Sequence, residues 1–297
     1  NSKYSINYLK EVSNENFLPY LKNADALIIR TQNFKKNHIE RAKKLKIVSR
    51  HGVGYDNVDY HELKKRNIPL TIVGDVNSTS VSEHTMMLII SVFKKIILAD
   101  FSTRNSLWNY RNNYEPRELY GKNLLIIGFG RIGKKLGKLA KAFGMNIHVY
   151  DPYIENKFDE YEIRYFQNLT TALCNADCIS LNLPKVDKPI ITKENSQYLK
   201  HGVVIINTAR GELIEEKVLQ DGIQKGVISG VGLDVFDSEP VEKNHFLFKY
   251  KQVIFTPHQA GLSQEAAERM SIKSINNILD YYDGSLDSSL IVNGVKI

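Results

Sequence analysis

The sequence predicts an α/β fold built from two parallel-sheet domains. Three observations carry this. Short apolar runs alternate with stretches of helical spacing. The chain has 297 residues, more than one domain of roughly 100–200 residues usually holds. The alternation is also interrupted once, mid-chain, by a long helical segment and an irregular connection.

The elements follow in order. DALIIR (25–30) reads as a buried strand, residues 35–45 as a basic helix, KIVSR (46–50) as a second strand, 57–66 as a helix and PLTIV (69–73) as a third strand. From Ser80 to about Arg104 the apolar spacing is helical without Pro or Gly, which predicts one long helix. The irregular stretch NSLWNYRNNYEPRELYGK follows, with the only tryptophan, Trp108, read as packing or dimer contact. A second run has strands near 124–127, 146–150, 178–182, 203–207, 229–233 and 252–255. It ends in an amphipathic helix over 264–283.

Composition excludes several classes. Hydrophobic residues at 42% and charged residues at 25% argue against a disordered chain, a collagen or a coiled coil. The net charge of +7 allows anionic partners, but the basic residues are scattered as on solvated helix faces. No aromatic-interleaved patch points to nucleic acid. No run of about 18 apolar residues predicts a membrane span, and NSKYSINYLKEV lacks the apolar core of a signal peptide. Two cysteines, Cys174 and Cys178, build no disulfide framework, so a reducing, cytoplasmic setting is expected. They read as buried structural residues rather than a metal pair, and no metal is expected.

The segment NLLIIGFGRIGKKLGKLAKAFGMNIHVYD is the most informative. Leu124 to Ile127 form a strand, then Gly128, Phe129, Gly130, Arg131, Ile132 and Gly133 give GxGxxG. Leu136, Leu139, Ala140 and Phe143 repeat with helical spacing, and a second strand ends at Asp151. Gly128 allows the tight turn, Gly130 lets backbone approach a pyrophosphate, and Gly133 lets helix pack on strand. The helix start offers N–H groups and partial positive charge to phosphates. A carboxylate at Asp151 accepts ribose hydroxyls and repels a 2′-phosphate, so NAD is the expected cofactor. A glycine-rich structural turn alone would not order strand, turn, helix, strand and acid this way.

Three further segments follow later strands, where ligands bind in doubly wound sheets. They are VVIINTARGELI with Arg210, GVGLDVFDSEP with Asp234 and Glu239, and VIFTPHQAG with His258. Together they offer a guanidinium, a carboxylate and an imidazole. Histidine suits proton exchange with a developing alkoxide, a carboxylate beside it favours the imidazolium, and arginine grips a carboxylate with two hydrogen bonds. Any one of them alone would read as a surface or packing residue.

These segments, with SRHGVGYDNVD (49–59), NSTSVSEH (77–84) and ELYGKNLLIIGFGRIG (118–133), resemble the D-isomer-specific 2-hydroxyacid dehydrogenase family. That family includes D-3-phosphoglycerate dehydrogenases and glycerate, hydroxypyruvate and glyoxylate reductases. The resemblance implies a Rossmann dinucleotide-binding domain inserted in a smaller flavodoxin-like substrate domain. The expected boundaries are 1–84, 85–269 and 270–297, the last being the return segment of the substrate domain. It implies that Arg210 binds the substrate carboxylate and polarises the carbonyl, that Glu239 pairs with His258, and that His258 is the acid or base. Asp234 is expected to contact the nicotinamide carboxamide and Phe129 to Ile132 to wrap the pyrophosphate. Pro184, Thr208 and Ala209 are expected to line the cofactor pocket. The backbone at Val53 and Gly54, with Arg50 and Asn77 nearby, is expected to hold the substrate. Family members commonly carry a strand and helix ahead of the segment matching YSINYL, so such a leading unit is expected before residue 1. Asn182 stands where histidine is frequent, and LPKVDKPIIT departs from the usual loop.

Some residues stay open. His84 faces either a cleft or the helix surface. Arg30, Arg50 and His51 either form a charge cluster for a phosphorylated substrate or merely end strands. The leading expectation is therefore D-3-phosphoglycerate oxidation by an NAD-dependent homodimer acting on a small anionic substrate. Glyoxylate or hydroxypyruvate reduction is the alternative, and an NAD-sensing corepressor-like protein is the rival from another class.

Overall fold

The computed structural model describes residues 4–9, 16–113, 115–154 and 162–297. Tyr114, in the aromatic connection, lies outside them. In chain order the elements are α1 (Leu18–Leu21), β1 (Ala26–Ile29), α2 (Lys36–Arg41), β2 (Ile47–Arg50), α3 (Tyr60–Lys65), β3 (Leu70–Thr71), α4 (Ser78–Lys94) and α5 (Ile96–Arg104). A 3-10 turn, Trp108–Asn112, leads to β4 (Asn123–Ile127), α6 (Arg131–Ala142), β5 (Asn146–Tyr150), β6 (Arg164–Phe166) and α7 (Leu169–Cys174). Then come β7 (Cys178–Leu181), β8 (Val203–Asn207), α8 (Glu216–Gln224), β9 (Ile228–Leu233), β10 (Val253–Phe255) and α9 (Gln264–Asp283).

The chain divides into two units, residues 1–77 with 264–297 and residues 78–263. The second is thus an insertion in the first. The division leaves α4 and α9 whole rather than falling within them at 84/85 and 269/270. The reason is packing: α4 lies against α6, β8, β9 and β10, and α9 against β1 and β2.

In the first unit, β1, β2 and β3 form a parallel sheet in that order. Phe34, Ile39, Val48, Leu63 and Leu70 make its core, all 0% exposed. Only Leu70 and Thr71 of the expected 69–73 strand pair with β2. Beyond them, Ile72 N–H donates to Leu290 O and Val73 N–H to Gly52 O, so the chain leaves the ladder to brace neighbouring loops. Asn277 on α9 donates to Ile72 O at 3.0 Å, and Asn293 accepts from Leu70 N–H at 3.1 Å.

In the second unit, seven parallel strands run in the order β10-β9-β8-β7-β4-β5-β6. Parallel strands covered on both faces read as unbroken apolar runs, and Leu124 to Ile127 are all buried. Burying each such side chain is worth about 1.5–3 kcal/mol. The order reverses beside β4, which makes the end of β4 the switch point of the sheet.

The predicted single helix over 80–104 is two. Lys95 adopts left-handed backbone, φ 49°, which interrupts the helical ladder and starts α5 anew. Neither β6 nor α7 was predicted. The first is a three-residue edge strand with no alternation to detect; the second is capped by Asn168, whose side chain accepts from Thr171 N–H at 3.0 Å. The two cysteines do not share a burial state: Cys174 ends α7 exposed, and Cys178 is buried in β7. Trp108 is 64% exposed, with Arg111 over its ring, so it does not pack into the unit.

Candidate active site and dinucleotide cradle

The glycine loop occupies the switch point. Gly128 has φ +88°, and a Cβ there would stand 2.7 Å from Asn182 O. A Cβ on Gly133 would stand 2.4 Å from Gly128 O, so helix and turn can meet only without one. At Gly130 an added Cβ would meet nothing within 4 Å. Its glycine is therefore not demanded by protein packing, and the open face beside the α6 start is a cradle for a phosphate.

Asp151 ends β5. Its Oδ2 accepts Phe129 N–H at 2.8 Å and its Oδ1 accepts Tyr153 N–H at 2.9 Å. It braces the glycine loop through Oδ2 and the turn after β5 through Oδ1. Phe129 is anchored in the protein: its side chain is buried against Tyr165 and its N–H donates to Asp151. Gly130, Arg131 and Ile132 remain as the backbone that lines the cradle.

Arg210 follows β8 in a loop braced by Asn207, whose amide donates to Arg210 O at 2.7 Å and accepts from Ala209 N–H at 3.0 Å. Thr208 Oγ1 lies 2.8 Å from Thr85 Oγ1. Asn207 and Thr85 had no assigned role; an Asn at a strand end before a turn is the local signal. Pro184 lies in the loop after β7, exposed, and Lys185 beside it pairs with Glu212 at 2.6 Å.

His258 and Glu239 meet. His258 Nδ1 is 2.6 Å from Glu239 Oε2, and Glu239 Oε1 accepts Phe236 N–H at 3.1 Å. Burial works to raise the Glu239 pKa, but the His258 hydrogen bond and charge, the Phe236 N–H and the Arg210 charge together hold it below its ordinary value. It is thus an ionised acceptor at neutral pH, and His258 Nδ1–H is the donor. The positive charge of Arg210 also acts on the Glu239 carboxylate. Of Arg210, Glu239 and His258, the fold brings the last two into direct contact.

Asp234 is 0% exposed. Its Oδ1 accepts Thr256 Oγ1–H at 2.5 Å and Gln259 N–H at 2.9 Å, and its Oδ2 accepts Ala260 N–H at 2.9 Å. Its own carbonyl accepts His258 N–H at 2.8 Å. In this structure the carboxylate organises the loop that carries His258. That loop needs holding, because His258 has φ +50°, a conformation costing about 1–3 kcal/mol for a non-glycine residue.

Residues 86–260 match the family described as D-isomer specific 2-hydroxyacid dehydrogenase, NAD binding domain. The chain belongs to the D-isomer specific 2-hydroxyacid dehydrogenase family. It is 36% identical over 284 residues to D-3-phosphoglycerate dehydrogenase of Methanocaldococcus jannaschii, covering 94% of this chain and 54% of that protein. It is 31% identical over 280 residues to glyoxylate reductase of Korarchaeum cryptofilum, covering 91% and 83%. A solved D-lactate dehydrogenase from Aquifex aeolicus, complexed with NAD and lactic acid, superposes with a TM-score of 0.85 at 26% identity, covering 97% of this chain and 91% of that one. The chain spans about half the length of the D-3-phosphoglycerate dehydrogenases it matches.

Family membership makes NAD the cofactor, and the residues present fit it: an open cradle at Gly130, a helix start, and Asp151 beside them. Among the described residues no group of His, Cys, Asp or Glu could hold a metal ion, and no helix is long and apolar enough to cross a membrane.

The expected substrate residues lie in the other unit. Arg50 ends β2, and its Nη1 donates to His51 O. Its guanidinium also packs where a Gly52 Cβ would be. Val53, Gly54 and Asn77 are half-buried loop residues. His51 Nε2 is 3.1 Å from Ser271 Oγ. Burial, with Arg30 and Arg50 adding to it, lowers the His51 pKa against the opposing pull of a backbone hydrogen bond. His84, left open between cleft and surface, is nearly buried and bonded to Thr256.

Proposed function

We propose that this protein is an NAD-dependent oxidoreductase that interconverts a small D-2-hydroxy acid and its 2-oxo acid. The observation that carries this is the His258–Glu239 pair, with the Arg210 charge acting on Glu239, set in an NAD-binding domain. Bound NAD supplies the carbon that accepts a hydride from the hydroxy acid and returns it in reduction. His258 takes the substrate hydroxyl proton on Nε2 during oxidation and gives it back during reduction. Glu239 stabilises the imidazolium so formed. Arg210 holds the substrate carboxylate and polarises the carbonyl. In the smaller unit Arg50, Val53, Gly54 and Asn77 are the proposed substrate loop.

D-3-phosphoglycerate is the proposed substrate, supported by the mutual influence of Arg30, Arg50 and His51. The two guanidiniums, rather than the His51 ring whose pKa they lower, suit an acid with a second anionic group. Glyoxylate or hydroxypyruvate is the second reading, favoured by the engagement of Arg50 with its own loop. Purified protein assayed with NAD(H) against all three decides. Faster turnover of the unphosphorylated acids contradicts the first choice, and no turnover of any contradicts the enzyme.

We also infer a homodimer. Ile96, Ile97 and Phe101 on α5 and Leu107 and Trp108 after it are 48–64% exposed, an apolar surface that suits an interface. Light scattering of Phe101→Glu should give a lower mass than the wild type. Equal masses contradict the assignment.

A further inference from the structure

The polar face of α4 fastens the catalytic loops. Ser80, His84 and Thr85 share one side of the helix. Ser80 Oγ donates to Ala260 O at 2.7 Å, His84 Nε2 is 3.0 Å from Thr256 Oγ1, and Thr85 Oγ1 is 2.8 Å from Thr208 Oγ1. The direction of the middle bond follows from counting protons. Thr256 has one hydroxyl proton, and it goes to Asp234 Oδ1 at 2.5 Å. Toward His84 the hydroxyl is therefore an acceptor, so His84 Nε2 carries a proton. The donors run from His84 to Thr256 to Asp234, and Asp234 in turn receives Gln259 and Ala260 on the far side of His258.

We propose that His84 is a positioning residue for the acid–base histidine. On the dehydrogenase reading above, it acts through Thr256 and Asp234 to hold loop 256–260, and with it the contact of His258 with Glu239. It touches no reacting atom. Burial lowers the His84 pKa while Asp234, 3.6 Å away, pulls it up. The lowered pKa favours a neutral ring at neutral pH that keeps its Nε2–H. The donor chain is thus complete without a second positive charge beside Asp234. Glu239 is the charged group paired with His258, and the Arg210 charge acts on Glu239 in turn.

His84→Leu removes the donor, while His84→Gln restores an amide N–H at similar reach. NMR titration of the His258 ring, with no substrate present, is compared in wild type and both variants, alongside kcat and KM. His84→Leu should lower the His258 midpoint by about 0.5 pH unit or more, as expected when an ion-pair partner loosens. Its kcat should fall roughly 10- to 100-fold, the scale of a small misplacement, with KM for NAD within about twofold. His84→Gln should recover most of both. Identical His258 titration in wild type and His84→Leu overturns the proposal, as does equal impairment of Leu and Gln. The titration needs no turnover, so it decides the role of His84 even if every acid in the substrate panel is inert.

Discussion

Nδ1 of His258 stands 2.6 Å from Oε2 of Glu239. The two residues come from different loops, after β10 and after β9, so the contact exists only in the folded unit. It fixes the ring through Nδ1 and, on the proposed function, leaves Nε2 for the substrate.

Replacing Glu239 by Gln removes the charge 2.6 Å from Nδ1, so the protonated ring should be harder to form. Oxidation needs the neutral ring and reduction the protonated one. The acidic limb of kcat/KM for oxidation should therefore move to lower pH, and the basic limb for reduction should move the same way. At pH 7 reduction should lose the more. A pH–rate profile in both directions checks this, and limbs that stay in place contradict the pairing role.

Gly130 and Gly133 should fail differently. Gly130→Ala adds a Cβ to open space at negative φ, −76°. Its melting temperature should stay within about 2 °C while NAD affinity falls about tenfold or more. Gly133→Ala drives a Cβ to 2.4 Å from Gly128 O and should lower stability by about 1–3 kcal/mol. Thermal unfolding and NADH fluorescence titration separate the two. Equal melting losses would show that Gly130 serves packing.

His148 links stability to acid. Burial, aided by Arg164, lowers its pKa from 6.5 to about 4, against a smaller opposing pull from Asp177, and the ring sits 5.1 Å from Phe166. The folded state favours the neutral ring, so its contribution is present above pH 6.5. It is lost as pH falls from 6.5 toward 4, where the unfolded chain binds a proton that the folded one refuses. The full shift corresponds to about 3 kcal/mol. Urea unfolding at pH 7 and pH 4.5 should show a larger drop for wild type than for His148→Leu. Equal drops would exclude His148 as a source of the acid sensitivity.

Asp151 carries two duties, and its replacement should show both. Asp151→Ser removes the charge that repels a 2′-phosphate and weakens the brace on Phe129 N–H. NAD affinity should fall about tenfold, and the NAD/NADP ratio should fall with it. An unchanged ratio contradicts the ribose assignment.

Much of this site could be read from local sequence. The glycine loop is legible because its spacing between strand and helix is local, as with Gly133 against Gly128, although the contact of Gly128 with Asn182 comes from a distant strand end. Arg210, Glu239 and His258 are legible as ends of strands in one sheet, which topology must gather. What stayed hidden depends on distant packing. Asp234 is legible as a strand end, but its bonds to residues 256–260 are not. Lys95 sits in an unbroken helical pattern, and only the conformation of its backbone splits α4 from α5. His84 could not be placed because its partner, Thr256, lies on the far side of the sheet order. The burial of Phe129 likewise depends on Tyr165, beyond the motif.

The central claim is that His258 exchanges the proton of the substrate oxygen. The most direct measurement is kcat for His258→Asn beside its NADH affinity, using the best acid of the panel. NADH binding should stay within about twofold of wild type while kcat falls roughly 100- to 10,000-fold, the scale of general acid–base catalysis. A variant that binds NADH normally and turns over within about threefold of wild type would contradict the claim.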